Sequence, residues 1–117
     1  MAFAVNLQQL PAVDHIAELQ LLDAQGQVTA SIANQPGKAG SVRVYAALAA
    51  QYGCINVAAA QQGLQWFAEH TEAARAHPGS HPNIDRLFAI IANGQTLQVR
   101  LLPQPQSANG GSQAAST

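Results

Sequence analysis

Three of the chain's four histidines fall in one stretch, Glu69-His70-Thr71-Glu72-Ala73-Ala74-Arg75-Ala76-His77-Pro78-Gly79-Ser80-His81-Pro82-Asn83-Ile84-Asp85-Arg86, which is also its densest polar run. Imidazole titrates near neutral pH, so such a cluster can supply a general acid and base; with a carboxylate it can also ligate zinc or a similar ion. A helix over the first half places His70 and His77 two turns apart on one side, and the Pro78-Gly79 turn folds His81 and Asp85 back toward them. A plainer explanation competes, because His77 at a helix end and Asp85 in a first turn each gain from a helix dipole with no ligand present. Neither a zincin nor a zinc-finger spacing occurs, and the step from His77 to His81 crosses Pro78 and Gly79, so those two cannot ligate from one helical face. No metal site is assigned. Arg75 and Arg86 flank the turn, which makes an anion the expected occupant of any pocket built from His70, Arg75, His77, His81, Asp85 and Arg86.

A second candidate is Asn34-Gln35-Pro36-Gly37-Lys38-Ala39-Gly40-Ser41, a Gly-rich passage from a strand into a helix that carries the only lysine. Backbone amides at such a terminus can cradle a phosphate or carboxylate, so Gly37, Lys38, Gly40, Ser41 and Arg43 form a weak candidate anion site. The Walker pattern is not matched, which removes a nucleoside triphosphatase. Cys54 lies in an apolar stretch after a helix stop and reads as an inert thiol, and no Gly-x-Ser-x-Gly elbow exists. Tyr45, Tyr52, Trp66 and Phe67 fall at helical spacing among apolar residues and read as core. None of these patterns names a cofactor.

The elements that must position these residues are legible in the hydrophobic periodicity. Ala17 to Leu22, Gln27 to Ala33 and Gln95 to Leu102 alternate with period 2, placing Ala17, Leu19, Leu21, Val28, Ala30, Ile32, Leu97, Val99 and Leu101 on one face. Asp23-Ala24-Gln25-Gly26 joins the first two as a hairpin. A short helix around Phe3, Leu7 and Leu10 ends at Pro11. A second, capped by Ser41, carries Val42, Tyr45, Leu48, Ala49 and Tyr52 and stops at Gly53. A third runs from Val57 to Ala76 with Asn56 as cap and Leu64, Phe67, Thr71 and Ala74 inward; Gly63 weakens it by about 1 kcal/mol unless it allows close packing. The last, Ile84 to Ala92, is capped by Asn83 and closed by Asn93-Gly94. The expected fold class is α+β: a three-stranded antiparallel sheet, N-terminal hairpin plus C-terminal strand, with three to four helices on one face.

The chain has 117 residues, 48% of them hydrophobic, and its 5 basic against 6 acidic residues leave no field to attract a polyanion. That excludes nucleic acid and anionic lipid as partners. The length makes one globular domain over 1–102, and the uncharged, Gln/Ser/Gly-rich 103–117 reads as a disordered polar tail. A single cysteine points to a reducing compartment, Met1 to Leu10 lacks the charged and apolar regions of a signal peptide, and no apolar run reaches the roughly 20 residues of a membrane helix. The expected location is cytoplasmic; the oligomeric state is left open.

The stretch from His70 to Leu87, joined to Asn34-Gln35-Pro36-Gly37-Lys38-Ala39-Gly40-Ser41, resembles a small bacterial family known only as a domain of unknown function. The resemblance covers Phe3 to Leu102 and implies a compact, single-domain, cytoplasmic bacterial protein, with no activity, cofactor or partner carried over. The expected function is a non-enzymatic binding or regulatory module for a small anionic ligand or a protein partner. The alternative is a small histidine-dependent hydrolase or transferase, with or without a metal ion to assist it. A catalytic pocket would bring at least two of His70, His77 and His81 together around a cleft, whereas a binding module tolerates histidines that point apart.

Overall fold

The computed structural model describes residues 2–105. The order is α1 (Phe3–Gln8), β1 (Ile16–Leu22), β2 (Val28–Ala33), α2 (Ala39–Tyr52), α3 (Val57–Phe67), α4 (Glu69–Ala76), α5 (Pro82–Asn93) and β3 (Gln98–Pro103). The fold is α+β. The antiparallel sheet has the order β2-β1-β3, so the hairpin and the C-terminal strand pair as their alternation requires. Leu19 sits between Ile32 and Leu101, and Leu21 between Ala30 and Val99, which puts the expected apolar set on one face. Asp23 holds the hairpin turn by accepting from the amides of Gln25 and Gln27.

Two positions of that apolar set are not covered. Val28 is 47% and Leu101 43% exposed. A bulge between Leu21 and Leu22 shifts the pairing so that Leu22 faces Val28, and Leu22 is buried in its place. Leu101 belongs to an edge strand. Alternation assigns a face, but only an overlying helix buries it. The helix lying on the sheet is α2. It buries Val42, Val44, Tyr45, Ala47 and Leu48, more than one stripe, because α3 packs on its other side.

Helix boundaries depart from expectation at three places. Ser41 is not a cap: α2 begins at Ala39 behind Lys38, and the turn enters directly because the amides of Lys38 and Ala39 both donate to Gln35 O. Asn83 is not a cap either, since α5 begins at Pro82 behind His81. The expected Val57-to-Ala76 helix is two helices broken at Ala68, which raises the helix count to five among the described residues. In an unbroken helix the Ala68 amide would bond Leu64 O; here it donates to Gln65 O, while the buried Thr71 hydroxyl donates to Leu64 O at 2.6 Å.

Ala68 consequently adopts φ 52°, ψ −118°, the one positive φ at a non-glycine residue among the described residues. Such a conformation costs on the order of 1 to 3 kcal/mol, of which glycine removes most while restoring about 0.4 to 1 kcal/mol of unfolded-state entropy. Ala68→Gly should therefore stabilise the protein by about 1 kcal/mol, read as a higher urea midpoint at unchanged slope. A lowered midpoint would mean that the α3–α4 corner is not strained.

β3 reaches Pro103, and beyond it the Gln104 amide donates to His15 O and its side chain to Ile16 O. The remainder of the expected polar tail, from 106 on, lies outside the described residues. No described helix is long and apolar enough to cross a membrane.

Candidate functional site

The two stretches singled out in the sequence meet in one cavity of about 620 Å³. Gly37, Lys38, Ala39, Gly40 and Ser41 bring the start of α2 to it, and Ser80, His81, Pro82, Asn83, Ile84 and Arg86 bring the start of α5. His70 of α4 and Phe67 of α3 close one side, and Phe3 and Leu7 of α1 complete it. Neither α2 nor α5 has a side chain capping its first turn; Gln35 O takes the Lys38 and Ala39 amides and His81 O that of Ile84, and Pro82 has no N–H, so the amides left for a ligand are those of Gly40, Ser41 and Asn83. Gly40 lets α1 lie across the start of α2: a Cβ there would stand 2.9 Å from Phe3 Cζ. Two bonds hold α1 in place, from the Phe3 amide to Glu69 Oε1 at 2.9 Å and from Asn6 Nδ2 to Trp66 O at 3.0 Å. The first lowers the Glu69 pKa, so this tether is complete at neutral pH and lost as pH falls through the lowered value.

Arg86 is the best-anchored cation at the cavity. Its Nη1 donates to Tyr45 Oη at 3.2 Å and to Asn83 Oδ1 at 3.0 Å, and its guanidinium lies 5.7 Å from the Tyr45 ring centre. The Tyr45 hydroxyl in turn donates to Asn83 O, tying α2 to the first turn of α5. No carboxylate lies within ion-pair distance of Arg86, the one salt bridge among the described residues being Arg75–Glu72. No aspartate or glutamate lines the cavity.

Burial pushes the Tyr45 pKa from 10.0 to about 12, against the opposing charge and hydrogen bond of Arg86. The folded state thus holds this proton more tightly than the unfolded chain. Its contribution is whole below pH 10 and is lost as pH rises through about 12. At 1.36 kcal/mol per unit the loss is on the order of 2 to 3 kcal/mol. Urea unfolding at stepped alkaline pH should show a steeper decline for the native chain than for Tyr45→Phe; parallel declines would place the phenol in water.

Of the other sequence candidates, the structure sends four elsewhere. Arg43 donates through Nε and Nη2 to Leu10 O, fixing the chain after α1 rather than waiting for an anion. Arg75 pairs with Glu72 and covers the Phe88 ring at 5.2 Å. His77 ends α4, is exposed, and does not line the cavity that His70 lines. Asp85 accepts from the Gly79 amide at 2.9 Å and closes the turn between α4 and α5. His70 and His81 do come together, with ring centres 5.7 Å apart at the cavity. No three His, Cys, Asp or Glu residues gather as a metal set among the described residues. Cys54 is half-buried, with Sγ 3.9 Å from Tyr52 O.

Sequence reasoning missed Phe3 and Leu7, which read only as a short helix, and missed Tyr45 as the support of Arg86. The glycine at position 40 is the one local sign that something packs against the start of α2.

Fold and cavity together define a small α+β domain with a cation-lined cleft where two helix N-termini converge. The chain belongs to the family described as an uncharacterised protein conserved in bacteria (DUF2322), whose model matches residues 3–101. No curated protein and no solved structure matches it.

Proposed function

We propose that the protein is a non-enzymatic binding module of the bacterial cytoplasm that takes a small anionic ligand in this cleft. The observation that carries the reading is Arg86: a half-buried guanidinium, held by Tyr45 and Asn83, at a cavity that no carboxylate lines. A partly desolvated cation without a counter-charge is unfavourable, and an anion relieves it. Lys38 and the amides of Gly40, Ser41 and Asn83 add attraction of the same sign. The cytoplasmic placement rests on the single free thiol.

Calorimetric titration with inorganic phosphate tests the reading. One site per chain is expected, weakening between low and high ionic strength because the cations are partly exposed. Absence of heat at low salt would contradict it. The alternative, a histidine-dependent hydrolase or transferase, draws support from the 5.7 Å approach of His70 and His81. That reading requires turnover of a phosphate monoester that disappears in His81→Ala, whereas the binding module shows binding without turnover.

A further inference from the structure

We infer that the anion this cleft takes is a phosphate monoester bearing a planar ring, of the nucleoside monophosphate type. The inference rests on the anion-binding reading above and adds the chemistry of the ligand's other half. Four rings stand in a row along the cavity. Phe67 and Phe3 stack at 5.5 Å with planes 14° apart, His70 meets Phe3 edge-on at 4.8 Å, and His81 follows at 5.7 Å from His70. All four line the cavity, and they come from α3, α1, α4 and the residue before α5. No single helix's periodicity produces such a row; it exists only because four separate segments converge.

The charge at the two helix starts selects the head group. Lys38 and Arg86 face no lining carboxylate, so the cleft is matched to about two negative charges. A phosphate monoester carries roughly −1.5 to −2 at neutral pH, a carboxylate only one. Size agrees: 620 Å³ falls within the roughly 300 to 1,000 Å³ of small-molecule sites, and with Phe67 buried, the half-exposed Phe3, His70 and His81 are the rings a ligand can still cover. A ring laid on Phe3, His70 and His81 removes their remaining apolar surface from water while the phosphate meets Lys38 and Arg86. With 5 basic and 6 acidic residues, the chain as a whole lacks the field that would favour a polymer over a free mononucleotide.

The test titrates the full chain with adenosine monophosphate, ribose 5-phosphate, adenosine and inorganic phosphate. Adenosine monophosphate should bind about fivefold or more tighter than ribose 5-phosphate, since one stacked base is worth at least that ratio. Adenosine alone should bind more weakly than either phosphate ester. Phe3→Leu, which keeps apolar bulk but removes the ring, should bring the affinity ratio of adenosine monophosphate to ribose 5-phosphate down toward one, and His81→Leu should lower the same ratio. Equal affinity for the two esters, or an advantage that survives both substitutions, overturns the ring inference and leaves the anion reading standing. No binding by either ester or by phosphate overturns both.

Discussion

Arg86→Ala should weaken phosphate binding by about 10- to 100-fold, because a hydrogen bond to a charged group is worth roughly 1.5 to 3 kcal/mol and the guanidinium faces a cavity lined by no carboxylate. The same substitution should cost about 1 to 2 kcal/mol of stability. It removes the cation over the Tyr45 ring and the bond to Asn83 Oδ1, and leaves the Tyr45 hydroxyl with Asn83 O alone. Arg86→Lys keeps the charge but not the guanidinium donors beyond the Nη1 that serves both Tyr45 and Asn83, so its binding should fall between the two. Arg75→Ala serves as the contrast: its exposed pair with Glu72 should move stability by no more than about 0.5 kcal/mol and leave phosphate binding unchanged. Calorimetry and urea unfolding on the four proteins check both quantities. Equal binding by the native chain and Arg86→Ala would remove Arg86 from the site.

Leu87→Ala should destabilise the fold by about 3 kcal/mol, within the range for truncating a buried leucine. Leu87 is fully buried on α5 where that helix packs against α3. Gly63 is what lets them approach: a Cβ at 63 would stand 2.8 Å from Leu87 Cδ1 and 3.0 Å from Leu48 Cδ1, and Leu48 is equally buried. The helix-propensity penalty of a mid-helix glycine is thereby offset by packing. Gly63→Ala alone should lose about 1 kcal/mol net, overpacking slightly outweighing the better helix former. In the Leu87→Ala background only the 3.0 Å approach to Leu48 Cδ1 remains, so the same methyl should cost clearly less than in the native chain, a coupling visible in the double-mutant cycle. Additive effects would mean that α3 and α5 are not in contact at these residues.

The sheet was legible because alternation is local: Leu19, Leu21, Ala30, Ile32 and Val99 announce their shared face within their own strands. How far that face is covered was not, since Val28 and Leu101 depend on a bulge and on the reach of α2. Cap signals misled where a polar side chain or backbone group has a distant partner. Asn83 looks like an N-cap, yet its Oδ1 accepts from Arg86 and its O from Tyr45, thirty-eight positions away. The break at Ala68 hides for a similar reason, resting on a Thr71 hydroxyl that reads as an ordinary inward residue of a continuous stripe. In the site, His70, His81, Arg86 and the Gly37-to-Ser41 loop stood out by chemical type. Their union in one cleft did not, because it is made by helix packing and completed by α1, whose Phe3 carries no polar group to draw notice.

Amide chemical-shift mapping with inorganic phosphate shows directly whether small anions enter the cleft between the starts of α2 and α5. Saturating shifts should centre on Gly37, Lys38, Gly40, Ser41, Asn83 and Arg86, with the His70 and His81 ring signals moving at the same midpoint. Shifts that fail to saturate, or that gather instead around Arg75 or Arg100 while the two helix starts stay still, would contradict the account.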